Sequence, residues 1–240
     1  KAGDLAAILT ALEPHSVLFI DEIHRLKRTL EEILYPAMED NALDIVIGKG
    51  ANAKTVRLDL PEFTIIGATT KLSSLTAPLR DRFGMHFRLD FYPDHELAEL
   101  VKQKARILDM KIDQNSALEI AKRARATARI AIRILKRVRD LAVVKNEGEI
   151  DSKIVTEALK MLGVDEHGLN ETDRELLLNL YSNFENRPVG LNTLAASISE
   201  EPATVESVYE PFLLKKGFLK RTARGRMITK KAAELRQSEL

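Results

Sequence analysis

Two short apolar runs stand out along the chain. Ser16-Val17-Leu18-Phe19-Ile20 ends in Asp21-Glu22, and Phe63-Thr64-Ile65-Ile66-Gly67-Ala68-Thr69-Thr70 likewise ends in polar residues. Runs with so little polar alternation have no face to give to water, so both read as strands of a parallel sheet buried on its two faces. Between them the apolar spacing predicts a helix over 29–38. It also predicts two alternating segments, 43–49 and 54–60, with Leu43, Ile45 and Ile47 on one face and Val56, Leu58 and Leu60 repeating the pattern on the return. Joined by a glycine-containing loop, these segments form a hairpin.

Beyond Tyr92-Pro93 the pattern changes to helical spacing only. Helices are expected over 94–108, 116–125, 127–145 and 153–162, the third carrying Ile130, Ile134, Val138 and Leu141 on one face. Ser116 and Thr127 are the expected N-caps. Residues 163–170, with two glycines among polar residues, read as a linker. A third segment then offers helices near 171–185, 191–198 and 203–216, followed by a ribbon over 217–221 and 226–229. Three helices and a two-stranded wing describe a winged helix. The expected boundaries are 1–92 for an α/β unit with its hairpin at 43–60, 93–163 for an all-α unit and 164–240 for the winged helix.

Composition narrows this picture. At 240 residues the chain exceeds what one small core usually serves. No apolar run approaches the roughly 18 residues that suggest a membrane span, and no signal-peptide pattern opens the chain. With no cysteine, disulfides, thiolate metal sites and Cys nucleophiles are excluded, and a cytoplasmic location fits. The net charge is only +1, so a nucleic-acid site has to come from local clustering. Such a cluster exists: from Pro211 to Lys231 there are eight basic residues and no acidic one.

The chemistry concentrates where the strands end. An apolar strand carrying Asp21-Glu22 at its C-terminal end has the form of a Walker B strand. Asp21 would hold a Mg²⁺–water shell at nucleotide phosphates, and Glu22 would polarise the attacking water. The plain alternative is a strand followed by an acidic N-cap. Thr70 would bring a hydroxyl beside the same phosphates, or merely cap the strand. In Pro78-Leu79-Arg80-Asp81-Arg82-Phe83, an arginine ending a short helix could reach a neighbouring subunit's nucleotide, or pair with Asp81 on the surface. Arg129 opens a helix of the all-α unit and could reach phosphates as that unit closes. Arg133 and Arg137, further along, suit a solvated or interface face.

Taken in order, these parts resemble the AAA+ ATPases, and the words between them resemble the RuvB family nearly end to end. The resemblance runs from Gly3-Asp4-Leu5-Ala6-Ala7-Ile8-Leu9 through Leu34-Tyr35-Pro36-Ala37-Met38-Glu39-Asp40, Ile66-Gly67-Ala68-Thr69-Thr70 and Leu79-Arg80-Asp81-Arg82-Phe83-Gly84. Pro188-Val189-Gly190-Leu191, Tyr209-Glu210-Pro211 and Gly217-Phe218-Leu219 continue it. The resemblance implies an AAA+ core, an all-α lid and a winged helix, in a homohexameric ring that uses ATP and Mg²⁺ to drive Holliday junction branch migration. It implies Asp21 and Glu22 as the Walker B pair, Asp21 holding Mg²⁺ through water. Thr70 becomes sensor 1, Arg82 a trans arginine finger and Arg129 sensor 2. Glu39, Asp40, Asn41 and Tyr92 fall near the nucleotide. The hairpin at 43–60 becomes a docking site for RuvA, its apolar edge exposed unless a partner covers it, and RuvC a further partner. Arg221 and Arg226, with Arg224 and Lys220 beside them, become phosphate contacts on DNA of any sequence. Gly225 is expected to permit the tight turn between them.

Three departures are small: Ala128 and Ala223 stand where the family usually has proline, and Ile132 where it often has asparagine. A fourth is larger. No G-x-x-x-x-G-K-[ST] motif occurs in the 240 residues, so the expectation is a piece of the motor whose phosphate-binding loop lies upstream, inactive as an ATPase alone. Outside this reading stand a clamp-loader or replication-initiator AAA+ protein and a non-catalytic winged-helix DNA-binding adaptor. A hairpin between the Walker B and sensor 1 strands argues against the first of these.

Overall fold

The computed structural model describes residues 2–47 and 54–238, which leaves the hairpin tip outside the described residues. The chain divides into two compact units, Lys1–Leu89 and Asp90–Leu240. The first runs α1 (Ala2–Thr10), β1 (Ser16–Ile20), α2 (Arg28–Glu39), β2 (Ala42–Ile47), β3 (Lys54–Asp59), β4 (Phe63–Gly67) and α3 (Ala77–Asp81). The strands β1 and β4 lie parallel, with Ser16 opposite Phe63 and Ile20 opposite Gly67. Leu9 of α1 and Leu34 and Ala37 of α2 are buried against Leu18, Ile20, Phe63 and Ile65.

That packing covers one face of the sheet. On the other, Val17 and Phe19 are each 59% exposed and Ile66 is 48% exposed. Among the described residues, α1 and α2 both lie on the same side and no helix packs on the other.

The hairpin forms as expected, with Leu43 opposite Leu58 and Ile45 opposite Val56. Residues facing each other across an antiparallel pair share one face, so the apolar residues of both strands line the same side. Its root is buried, through Leu43 and Leu60, and Ile45 packs partly on the same core. The expectation of an exposed edge along Leu43 and Ile45 is corrected accordingly, because α2 and β4 already cover that strand; the side chain of Ile47 lies outside the described residues. The exposed apolar surface belongs to β3, at Val56 and Leu58.

The second unit begins with α4 (Asp94–Ile107), β5 (Lys111–Ile112), α5 (Gln114–Lys122), α6 (Ala128–Lys145), β6 (Glu149–Ile150) and α7 (Ser152–Met161). Its core is Leu97, Val101, Ile120, Leu135 and Val138 with the small residues around them. Ser116 is not the N-cap of α5. Asp113 is, its carboxylate accepting from the Ser116 backbone N–H at 2.9 Å and from the Ser116 hydroxyl at 2.8 Å. Aspartate caps as well as serine does, and only Asp113 stands outside the first turn. Thr127 does occupy the N-cap position of α6, but its hydroxyl donates backward to the Ala124 carbonyl.

There follow α8 (Glu171–Ser182), α9 (Leu191–Ser197), α10 (Pro202–Thr204), a π-turn over Val205–Tyr209, α11 (Glu210–Lys216), β7 (Leu219–Thr222), β8 (Gly225–Ile228) and α12 (Lys230–Ser238). The single helix expected over 203–216 widens in its middle. Pro211 has no N–H to return to the carbonyl one turn back, and the π-turn falls just before it. Leu176, Leu180, Leu194, Phe212, Leu213, Phe218 and Ile228 form the core.

Gly225 has a use beyond the turn. Its φ is +139°, and a Cβ there would lie 2.3 Å from the Val189 carbonyl oxygen, because Val189 pairs with Arg226 through backbone bonds of 2.8 and 2.7 Å. Gly225→Ala should therefore break a third pairing on the wing and cost about 3 kcal/mol or more, through overpacking and left-handed strain together. A denaturation midpoint within experimental error of the parent would refute the close approach.

Candidate functional site

The ends of β1 and β4 lie side by side, and two backbone bonds extend their pairing: Ala68 N–H to the Ile20 carbonyl and Ile23 N–H to the Ala68 carbonyl, both 2.9 Å. This extension brings Asp21-Glu22 beside Thr69-Thr70. The Thr70 hydroxyl donates to the Glu22 carboxylate at 3.2 Å. His24 Nδ1 sits 3.2 Å from the same Glu22 oxygen and 2.9 Å from the Thr69 hydroxyl. The Asp21 carboxylate accepts from the Glu22 N–H at 2.9 Å. Glu22 itself has left-handed backbone, φ 49° and ψ 45°, a conformation that costs a non-glycine residue about 1 kcal/mol or more and gathers at functional sites. Asp21, Glu22 and Thr70 are thus brought together as the sequence suggested. His24, a half-turn beyond Glu22, was missed; only its place three residues after Asp21 hinted at it.

Arg82 lies in the same unit, folded onto its own chain. Its guanidinium pairs with Glu39 at 3.0 Å, donates to the Pro78 carbonyl at 2.8 Å and lies 4.3 Å over the Tyr35 ring. The plain alternative, pairing with Asp81, is taken by Arg80 at 3.8 Å. Buried Glu31 builds the support for this corner. It accepts from the Thr76 hydroxyl at 2.6 Å and from the Tyr35 hydroxyl at 3.2 Å, tying α2 to the start of α3. Gly67 lets the corner close: a Cβ there would meet the Ile23 and Phe83 side chains at 3.0 and 3.1 Å.

Glu39, Asp40 and Asn41 form the joint between α2 and β2. Glu39 holds Arg82, Asp40 holds Arg57 of β3 at 2.5 Å, and the Asn41 carbonyl accepts from Leu60 at 2.7 Å. Tyr92 and Arg129 belong to the second unit. The Tyr92 N–H donates to the Ala126 carbonyl at 3.0 Å, and Arg129 is exposed in the first turn of α6.

On the wing, Arg221 and Arg226 stand opposite each other across β7 and β8. Like charges so placed repel, yet both pair with one carboxylate that stands just before the basic run. Fully buried Glu210 accepts from Arg221 at 2.5 and 2.8 Å and from Arg226 at 3.0 and 3.2 Å. Burial acts to raise the Glu210 carboxyl, but hydrogen bonds from Arg221 and Arg226 outweigh it, and the group is held below its ordinary value. Its contribution to stability is present above the unfolded carboxylate range and is lost as pH falls through the lowered folded value. Lys220 and Arg224 are exposed; the Arg224 N–H donates to the Thr222 hydroxyl at 3.3 Å, shaping the turn.

Three family models match in succession. The Holliday junction DNA helicase RuvB P-loop domain covers residues 1–89, the RuvB AAA lid domain 92–165 and the RuvB C-terminal winged helix domain 166–236. The chain belongs to the RuvB family. Among solved structures, the Thermotoga maritima RuvB Holliday junction branch migration motor is 46% identical, with a TM-score of 0.81 over 99% of this chain and 74% of that one. A mutant of Thermotoga maritima RuvB is 47% identical, with a TM-score of 0.84 over 100% of this chain and 76% of that one. The fold is accordingly that of a RuvB P-loop domain, an AAA lid and a winged helix. A clamp-loader or initiator reading is set aside, since all three matching models are those of RuvB.

Among the described residues no helix is long and apolar enough to cross a membrane, and no three His, Asp or Glu side chains are grouped to hold a metal. Of the two carboxylates at the end of β1, Thr70 engages Glu22, and Asp21, which accepts from the Glu22 N–H, fits a Mg²⁺ ion whose remaining ligands are phosphate oxygens and water.

Proposed function

We propose that this chain belongs to the ATP-driven subunit of a ring that moves Holliday junctions by branch migration, and that, with no G-x-x-x-x-G-K-[ST] motif in its 240 residues, it does not hydrolyse ATP by itself. The observation that carries the reading is the 3.2 Å contact between Thr70 and Glu22 at the ends of adjacent parallel strands, in a chain of the RuvB family. Ligands of α/β sheets bind beyond the carboxyl ends of the strands, where this pair sits. In this reading Asp21 holds Mg²⁺ through water, and the ion offsets charge on the β- and γ-phosphates of ATP. Glu22 accepts a proton from the attacking water, Thr70 orients it, and Arg129 and Tyr92 bind nucleotide from the lid. Arg82 reaches the nucleotide of the adjacent subunit, and Glu39, Asp40 and Asn41 lie near the nucleotide, Glu39 holding Arg82 until it engages. Val56 and Leu58 give RuvA an apolar surface to cover. We place the working boundaries at 1–92, 93–163 and 164–240.

Glu22→Gln keeps the shape of the side chain and removes the base. In an ATP-hydrolysing ring, turnover should fall about 10²-fold or more, with nucleotide binding retained in a filter-binding or fluorescence titration. Turnover at the parent rate would remove Glu22 from the chemistry.

The wing supports sequence-independent DNA contact. Replacing both wing arginines by alanine would strand buried Glu210, so Arg221→Gln with Arg226→Gln, which keeps hydrogen-bond donors beside it, is the better probe. Duplex binding should weaken alike on unrelated sequences, with a flatter salt dependence. A loss confined to one sequence would indicate base readout instead.

A further inference from the structure

We infer that Glu210 is a positioning residue for DNA: it holds Arg221 and Arg226 as one aimed pair of guanidinium groups on the wing. The inference rests on the DNA reading above and goes further, because the RuvB resemblance that includes Tyr209-Glu210-Pro211 gives this carboxylate no role. Both arginines use the same edge. Nε of each donates to one Glu210 oxygen and Nη2 of each to the other. Glu206 lies on that side too, 3.5 Å from Nη2 of Arg221 and 3.8 Å from Nη2 of Arg226. Neither Nη1 takes part in the pairing, so each planar group keeps an edge for another oxygen. Guanidinium offers donors in a fixed fork, so engaging one edge fixes the direction of the other.

The rest of the wing supports the arrangement. Glu210 is fully buried at the start of α11, just after the π-turn, so the carboxylate is anchored by the helix. Arg221 and Arg226 are cross-strand partners, which sets their backbones side by side before any side chain moves. Arg221 is half exposed and Arg226 mostly covered, so the pair presents one open and one recessed group. Two guanidinium groups ordered before binding lose less freedom on meeting phosphates than two free side chains would. The chemistry that fits is a pair of phosphate oxygens on a nucleic-acid backbone, without base readout.

Glu210→Gln separates positioning from simple charge. Removing a carboxylate near a phosphate site should tighten duplex binding if only net charge mattered. Positioning requires the reverse. We expect affinity of the full chain for a labelled duplex of random sequence to fall about fivefold, with the slope of log K against log salt smaller by about one. Binding as tight as the parent, or tighter, overturns the inference. Should Glu210→Gln fail to fold by circular dichroism, Arg221→Lys with Arg226→Lys decides: both charges remain and the forked pairing goes. Unchanged affinity there overturns the inference, and a loss of similar size supports it. The two readings also fail differently. If Arg221→Gln with Arg226→Gln leaves duplex binding intact, the wing is not the DNA site; if that variant weakens binding while Glu210→Gln does not, positioning alone is wrong.

Discussion

Replacing Arg82 by alanine will lower ATP turnover of the ring about 10³-fold or more, and subunits carrying Glu22→Gln will partly restore it when mixed in. Removing a guanidinium from charge developing on a transferred phosphoryl group has effects of that order. The rescue follows from the proposed action of Arg82 on the neighbouring subunit. A Glu22→Gln subunit has lost its own base but keeps Arg82, and lends it to a neighbour whose base is intact. Mixed rings that stay inactive would place Arg82 in its own subunit's site. Arg82 is only 23% exposed and also packs on Tyr35, so an unchanged denaturation midpoint is required before the loss is assigned to chemistry. The pairing of Arg82 with Glu39 and Tyr35 shapes the kinetic expectation as well. An arginine already resting on an aromatic ring and a carboxylate must exchange those partners for phosphate, so Glu39→Gln should change turnover far less than Arg82→Ala does. Equal losses from both would make Glu39 as important as the arginine itself.

What the sequence made legible follows its physics closely. Strands β1 and β4 were readable because each is a short apolar run ending in polar residues, and Asp21, Glu22 and Thr70 were readable because chemistry in such sheets sits at strand ends. Helices α2, α4, α6 and α7 showed their spacing plainly. Polar partners at long separation were the least visible. Glu31 with Thr76, Glu39 with Arg82 and Glu210 with Arg221 and Arg226 are 45, 43, 11 and 16 positions apart, and nothing in local pattern links them. The basic run looked uncompensated because the carboxylate that pairs with two of its arginines stands immediately before it, at the start of α11. The N-cap of α5 was misplaced for a local reason: Ser116 and Asp113 both satisfy the rule, and only the first-turn geometry decides between them.

Arg125 and Asp173 carry the largest expected effect on stability. Arg125 follows α5 with left-handed backbone, φ 52°, and is 8% exposed. Its guanidinium donates to the Asp173 carboxylate at 2.8 Å and to the Val208 carbonyl at 3.0 Å, and lies 4.5 Å from the Phe212 ring centre. One side chain from the lid thereby holds three elements of the winged helix. Asp173 is fully buried and also accepts from Asn170 in the capping box that starts α8. Burial pushes its carboxyl above the ordinary value, with Arg125 opposing the shift. Arg125→Ala should therefore cost about 3–5 kcal/mol at neutral pH, the usual result of stranding one member of a buried pair. The cost should shrink toward acid. A carboxyl whose folded value is raised binds its proton more tightly in the folded chain, so its stability contribution is complete below the unfolded value and is lost as pH rises through the folded one. Denaturant titrations of the variant on both sides of the carboxylate range would test this, and a loss independent of pH would assign the effect to lost packing. Because the clasp joins lid to wing, the variant should also unfold in two steps where the parent unfolds these parts together. Arg125→Met with Asp173→Leu supplies the control: buried pairs replaced by apolar side chains are often as stable or more so, so most of the loss should return, less about 1 kcal/mol for the capping box. A double variant no better than Arg125→Ala would mean that the ion pair itself, not the filled space, holds the lid and wing together.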